Sequence, residues 1–298
     1  MHHGLDRTLS ILFPLSAALI YVVGALLVKR SSDFGVGVWR TAFLSNLISA
    51  LIFQLLLPLG GTFHSELLWQ PALVAVLFLL GQLFNFLAIQ RGDISVATPV
   101  LGVKIILVAV FTTLLLTQVV SGKLWMAAAL SSLAIALLNR TGPARHHNVG
   151  STILYAGLSG TVFALFDVLV QKWSPSWGAG RFLPVMFGFV AIFSTVLIPF
   201  FRAPISAIPQ EAWGWLASGC VVLGFQSMAF VMTVAKFRNA TSANVIYSSR
   251  GLWSVVAVWG IGHWFANREQ HLGANILRWR LAGAVLMMAA IALVMLGH

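Results

Sequence analysis

Ten apolar runs, most of them about twenty residues long, follow one another along this 298-residue chain with only short polar breaks between them. At a helical rise of about 1.5 Å per residue, such a run matches a bilayer hydrocarbon core of roughly 30 Å. The runs do not alternate apolar and polar residues, as the strands of a membrane barrel would. Lipid offers the backbone no hydrogen-bond partners, so continuous apolar runs of this length read as helices. They fall at 9–28, 38–57, 72–89, 95–117 and 124–138, and again at 150–170, 182–200, 213–234, 240–262 and 281–296. Trp39, Trp69, Trp125, Trp213, Trp264 and Trp279 lie near run ends, where interfacial aromatic belts sit.

Composition supports the same reading. The chain is 59% hydrophobic and 8% charged, against about 25% charged in soluble domains. Seven acids could not coat a soluble globule of this size. The formal net charge of +11 would suggest nucleic acid in a soluble protein. Here the basic residues are scattered singly between apolar runs, so they read as loop anchors and as attraction to anionic headgroups. No nucleic-acid partner is expected; the surrounding partner is the lipid bilayer. Cys220, the one cysteine, excludes an intramolecular disulfide and reads as a small buried residue. The first run lacks a small-residue cleavage site and reads as a retained helix. No linker separates two soluble domains: the longest polar connection is 263–279, and the natural midpoint is 139–149.

The two halves resemble each other. Leu80-Gly81-Gln82 in the third run is matched by Leu223-Gly224-Phe225-Gln226 in the eighth, Phe86 by Phe230, and Arg91 by Lys236. Lys29 and Arg40 after the first run are matched by Lys172 and Arg181 after the sixth. Lys104, inside the fourth, is matched by Arg250, inside the ninth, at nearly the same offset. Five spans per repeat is an odd number, so the second half runs opposite to the first, the inverted-repeat plan of many secondary transporters. The expected fold is an all-α integral membrane protein of ten transmembrane helices in two inverted five-helix repeats, 1–143 and 144–298.

These features resemble the EamA-like branch of the drug/metabolite transporter superfamily. The likeness rests on the two five-helix halves, the Lys29–Arg40 pattern, and the turn Gln90-Arg91-Gly92-Asp93 leading into Ser95-Val96-Ala97-Thr98-Pro99-Val100. It implies a central cavity lined by the first four helices of each half, with the fifth and tenth peripheral. It also implies cytoplasmic termini, with the protein in a bacterial inner (plasma) membrane. Lys and Arg are commoner in the loops this orientation places outside, against the positive-inside rule. In one place the chain departs from the family: many members carry an acid soon after the proline of the fourth span, and this chain has Lys104. Sugar-phosphate translocators, a related branch, hold phosphate with basic residues on the equivalent two helices.

Lys104 and Arg250 are the residues that most need explaining. A basic residue at mid-span costs about 2.5–3.5 kcal/mol on insertion scales. The two readings are a structural ion pair and a cationic site for an anionic substrate. On the ninth run, Asn244, Tyr247, Gly251 and Ser254 recur at helical spacing, with Arg250 at the edge of the stripe. Trp253, three residues from Arg250, reads either as stacking on the guanidinium or as facing lipid. Gln82 and Asn85 share a face of the third run, and Gln226 with Ser227 occupies the matching place in the eighth. These amides suit either substrate or helix pairing. Asp167 is the one acid inside a run, three residues before the sixth run ends. It reads as a coupling or gating residue, or as a partner of Lys172, Lys29 or Lys104, with Lys29 and Arg40 placed near the cavity mouth. The axial distance from Lys104 is expected to be about 9 Å. Pro99 should weaken the fourth helix one turn before Lys104. Ala128, Ser132 and Ala136 form a small-residue stripe that permits close packing, within a monomer or in a homodimer.

The function these readings favour is a secondary transporter (a permease or exchanger) for a small, anionic metabolite, working by alternating access. The alternatives are an exporter of amino acids or other small metabolites, and a lipid-headgroup translocase. No phosphate-binding loop, no HExxH and no intramembrane acid pair is present, so neither ATP hydrolysis nor enzyme chemistry is expected. No cofactor and no metal site is expected. The pairs His2-His3 and His146-His147 lack further ligands.

Overall fold

A computed structural model describes residues 2–91, 94–138, 149–261 and 274–297. The described residues are 89% helical, with no strand among them. The helices are α1 (His2–Ser32), α2 (Val38–Phe53), α3 (Trp69–Arg91), α4 (Ile94–Gly102), α5 (Lys104–Leu116) and α6 (Gly122–Leu138). They continue as α7 (Val149–Trp177), α8 (Ala179–Phe193), α9 (Gln210–Phe237), α10 (Ala240–Tyr247), α11 (Arg250–Ile261) and α12 (Ala274–Gly297). The expected repeat boundary at 143/144, the pair His146-His147, Gly92-Asp93, Trp264 and most of the 263–279 connection lie outside the described residues. So do the side chains of His2, His3 and Arg91.

Among the described residues eight segments are long and apolar enough to cross a bilayer, and each overlaps one of the ten sequence runs. The other two runs differ for identifiable reasons. The fifth forms α6, a 17-residue apolar helix just under spanning length. The ninth is divided between α10 and α11. Large apolar side chains such as Leu51 on α2, Leu114 on α5 and Val285 on α12 point outward, which a lipid solvent permits.

α2 and α8 are built alike. Each starts after a glycine of positive φ, Gly37 at 80° and Gly178 at 76°, a conformation that costs a residue with a Cβ. Each tightens into a 3-10 turn at its far end, Gln54–Leu59 around Pro58 and Ser194–Phe200 around Pro199. They meet through Phe53 and Phe187, stacked at 3.6 Å, within a core that also takes in Trp177, Phe182 and Met186. α1 lies along α9, α3 along α7, and α6 along α12. Ser132 of the small-residue stripe donates to the Gly102 carbonyl at 2.9 Å, so the stripe holds α4 within the chain. Cys220 is buried among Val36, Ala212 and Leu216.

At one end of the bundle the chain closes backbone on backbone. A Cβ on Gly180 would stand 2.6 Å from the Gly60 carbonyl, too close for any side chain. The Thr62 amide donates to the Trp177 carbonyl at 2.9 Å, and the Trp177 indole donates to Gln70 Oε1 at 3.1 Å. The end of α2 is thereby fastened to the α7–α8 turn.

Candidate functional site

Two helices break inside the bundle, and a basic residue opens the second piece of each. α4 ends at Gly102, and Lys104 begins α5 after a turn at Val103. Pro99, which has no amide donor, lies one turn before this break. α10 ends at Tyr247, and Arg250 begins α11 after a turn at Ser248 and Ser249.

Lys104 is answered by a carboxylate. Its Nζ lies 2.8 Å from Asp167 Oδ2, and Asp167 is buried on α7. Asn244 Nδ2 donates to the same oxygen at 2.7 Å and also to the Ala240 carbonyl at 2.9 Å. The ammonium further stands 5.7 Å from the Phe163 ring centre and 5.6 Å from that of Phe230. The backbone of Lys104 lies level with Gly160, where an added Cβ would stand 3.7 Å from Lys104 Cβ. That is two turns before Asp167, about 10 Å along α7 and close to the axial offset expected from the sequence. The pair forms across this offset because the lysine side chain reaches along α7.

Asp167 opens a polar face that continues down α7 at helical spacing. Gln171 Nε2 donates to Gln118 Oε1 at 2.9 Å, and Gln171 Oε1 accepts the Ala240 amide at 2.8 Å. Ser174 donates to the Ala235 carbonyl at 3.1 Å. α7 therefore holds both the turn between α9 and α10 and the Lys104 ammonium.

Arg250 sits in a different kind of environment. Its Cζ is 4.7 Å from the Tyr21 ring centre and 4.6 Å from that of Tyr247, and Nη1 donates to the Tyr247 hydroxyl at 2.9 Å. The two tyrosine rings meet edge-on at 6.2 Å. Tyr247 also lies 4.5 Å from Phe230, so one phenyl ring separates the Lys104 and Arg250 environments. No carboxylate among the described residues is within ion-pair distance of Arg250. Only one of a guanidinium's five donors is taken by a described residue.

The other expected site residues divide into three groups. Gln82 forms a reciprocal amide pair with Asn46 at 3.0 and 3.1 Å, and Asn46 donates to Ser194 at 2.8 Å. This ties α2, α3 and the end of α8 together through one acceptor and one donor of Gln82. Gln226 is buried one turn from Phe230 on α9, and neither it nor the half-buried Asn85 has a side-chain hydrogen bond to another described residue. Arg40 is buried and donates to the carbonyls of Val36, Gly35 and Pro204 at 2.5, 2.8 and 3.1 Å, bracing the α1–α2 turn. Lys29 is exposed at the end of α1. Trp253 packs against the core cluster that includes Tyr247.

Tyr21, Asn46, Phe163 and Gln171 were not singled out from the sequence. Tyr21 had a signal: the chain has three tyrosines, and two of them flank one guanidinium. Gln171 and Ser174 follow Asp167 at four and seven residues, the spacing of one helix face. A cavity of about 500 Å³ opens elsewhere, at the α1–α2 turn, lined by Gly35, Gly37, Trp39, Arg40, Phe200 and Arg202. It marks the bundle end where Arg40 lies, away from both helix breaks.

Membrane-length helices around a buried ion pair and a tyrosine-clamped guanidinium define an integral multi-pass membrane protein with a polar interior. Residues 8–140 match the model of the EamA-like transporter family. This is a family of membrane transporters for small molecules, not of enzymes. Twenty-nine solved chains match as well. One, described as a crystal structure of a protein, has a TM-score of 0.71 over 96% of this chain and 97% of its own length, at 14% identity. That likeness establishes the fold over both halves of the sequence. No curated protein matches the sequence.

Proposed function

We propose that the chain is a secondary transporter that carries a small anionic metabolite by alternating access between two inverted five-helix halves, 1–143 and 144–298. The observation that carries this reading is Arg250. It is a cation inside a membrane bundle, fixed by two tyrosine rings, with no counter-ion among the described residues and one of its donors bonded to a described residue. An uncompensated interior cation costs several kcal/mol, and an anion bound there removes that cost. The Tyr247 hydroxyl, Gln226 and Asn85 complete the substrate site, while Lys104 acts through its bond to Asp167 and Asn244. Support for the repeat comes from the paired features on α2 and α8, and from helix breaks preceding Lys104 and Arg250 alike. Broken helices at the contact of two halves are a recurrent way of building a transporter site. The closed seam at Gly60 and Gly180 and the cavity near Arg40 lie at opposite ends of α2.

The test is exchange in proteoliposomes of the purified protein, scanning monocarboxylates, dicarboxylates, sugar phosphates and amino acids, with labelled anionic lipid as a separate arm. Anion uptake accelerated by preloaded anion is expected, and Arg250→Gln should remove it while the protein still inserts and remains monodisperse. Uptake of neutral or cationic solutes that survives Arg250→Gln would refute the reading. Movement of labelled lipid alone would make the protein a headgroup translocase.

A further inference from the structure

We infer that Asp167 sets the charge of the substrate: by cancelling Lys104 it leaves the two helix breaks with one net positive charge among the described residues, so the site selects monoanions over dianions. This rests on the anion-transporter reading above and deepens it. Among the described residues the buried carboxylates number one, Asp167. Two cations, Lys104 and Arg250, stand at the helix breaks, so two positive charges less one negative leave +1. The count does not depend on which cation Asp167 faces. In a low-dielectric interior a charge left over on the loaded carrier opposes its crossing, so the favoured cargo neutralises the site and no more. A dianion would bring its second charge toward Asp167 with no cation left to meet it.

The geometry places Asp167 close enough to exert this control. Asn244 holds the carboxylate at 2.7 Å, and one turn further along α10 Tyr247 bonds Arg250 at 2.9 Å. Phe230 touches both environments, 5.6 Å from the ammonium and 4.5 Å from the Tyr247 ring. Asp167 and the tyrosine-held guanidinium therefore belong to one electrostatic compartment. Neutralising Asp167 frees the Lys104 ammonium and raises the charge at the helix breaks to +2, which suits two negative charges. Removing both members of the pair returns it to +1.

The experiment uses four full-length proteins: wild type, Asp167→Asn, Asp167→Glu, and the double variant Lys104→Gln/Asp167→Asn. Each is tested with butyrate against succinate and nitrate against sulfate, by ligand-induced thermal stabilisation of the detergent-purified protein and by competition for exchange. Wild type and Asp167→Glu are expected to favour the monoanion of each pair. Asp167→Asn should move the preference toward the dianion by about tenfold, the effect of one unit charge at this range. The double variant should restore the monoanion preference, and it keeps the test open if Asp167→Asn proves too unstable to purify. An unchanged monoanion-to-dianion ratio in Asp167→Asn, or a double variant that fails to revert to wild-type preference, would overturn the charge-setting role while leaving anion transport standing. If no anion stabilises or competes in any of the four proteins, both this inference and the anion-transporter reading fall.

Discussion

Lys104 and Arg250 each open the second piece of a broken helix, yet the protein accommodates them by different means. Lys104 has a carboxylate at 2.8 Å and an amide that fixes that carboxylate in place. Arg250 has two aromatic faces within 5 Å and one hydroxyl. The difference follows from the side chains. An ammonium is a compact, strongly hydrated point charge and needs acceptors close by. A guanidinium is planar and weakly hydrated, and it stacks on rings. Arg250 can therefore be held in a fixed place without being neutralised, as a binding site for an anion requires. Lys104 is held by being neutralised, which makes it a structural group with an electrostatic consequence. The sequence alone suggests two equivalent cations at corresponding places, and the packing makes them unequal.

The largest effect that would separate the two sites is on stability. Lys104→Gln leaves Asp167 buried without its cation, and breaking a buried pair from one side costs about 3–5 kcal/mol. The detergent-purified variant should unfold at clearly lower temperature. Lys104→Gln/Asp167→Asn should recover most of the loss, since an amide pair can bond across the same gap. Arg250→Gln should change the unfolding temperature little or raise it, because it removes an unneutralised charge. Scanning fluorimetry on the four proteins reads this directly. An Arg250→Gln protein as unstable as Lys104→Gln would mean that Arg250 is structural too, and the contrast between the sites would disappear.

How much of this could be read from the sequence depended on range. Spans such as 38–57 and 182–200 were legible because long apolar runs answer to the bilayer, an environment independent of the rest of the fold. The break at Ser248–Ser249 was not, because neither residue breaks a helix by propensity and the run through it stays apolar and polar by turns. At Lys104, Pro99 supplied the local clue. Arg250, Tyr247 and Asn244 were legible as a polar stripe at helical spacing. The identity of Asp167's partner was not, since it depends on the Lys104 side chain reaching along α7 from a backbone level with Gly160. The polar residues Gln171 and Ser174 hid the last two turns of α7 from a search for apolar residues. Tyr21 lay beyond reach for another reason: α1 and α10 meet only in three dimensions. For Gln82 the sequence left substrate contact and helix pairing both open, and Asn46 on α2 takes one acceptor and one donor of its amide.

The smallest expected effects test how Arg250 is held, and they depend on the two tyrosines being unequal. Tyr247 gives the guanidinium a ring face at 4.6 Å and a hydroxyl at 2.9 Å, whereas Tyr21 gives it a ring face at 4.7 Å. Phenylalanine keeps the ring and removes the hydroxyl. Tyr247→Phe therefore deletes a hydrogen bond to a charged group, worth about 1.5–3 kcal/mol. It also lets the guanidinium plane turn, so the apparent anion affinity should fall by roughly tenfold. Tyr21→Phe leaves the cation–π contact, worth about 0.5–2 kcal/mol, nearly as it was, and the apparent affinity should stay within about twofold of wild type. Leucine at either place removes the face as well, so Tyr21→Leu should approach the Tyr247→Phe phenotype. The measurement is the half-saturating anion concentration for exchange, in liposomes matched for protein incorporation. Equal losses from Tyr21→Phe and Tyr247→Phe would mean that both hydroxyls contact the substrate and that the rings are secondary. Arg250 would then be positioned by the anion it binds, not held ready for it.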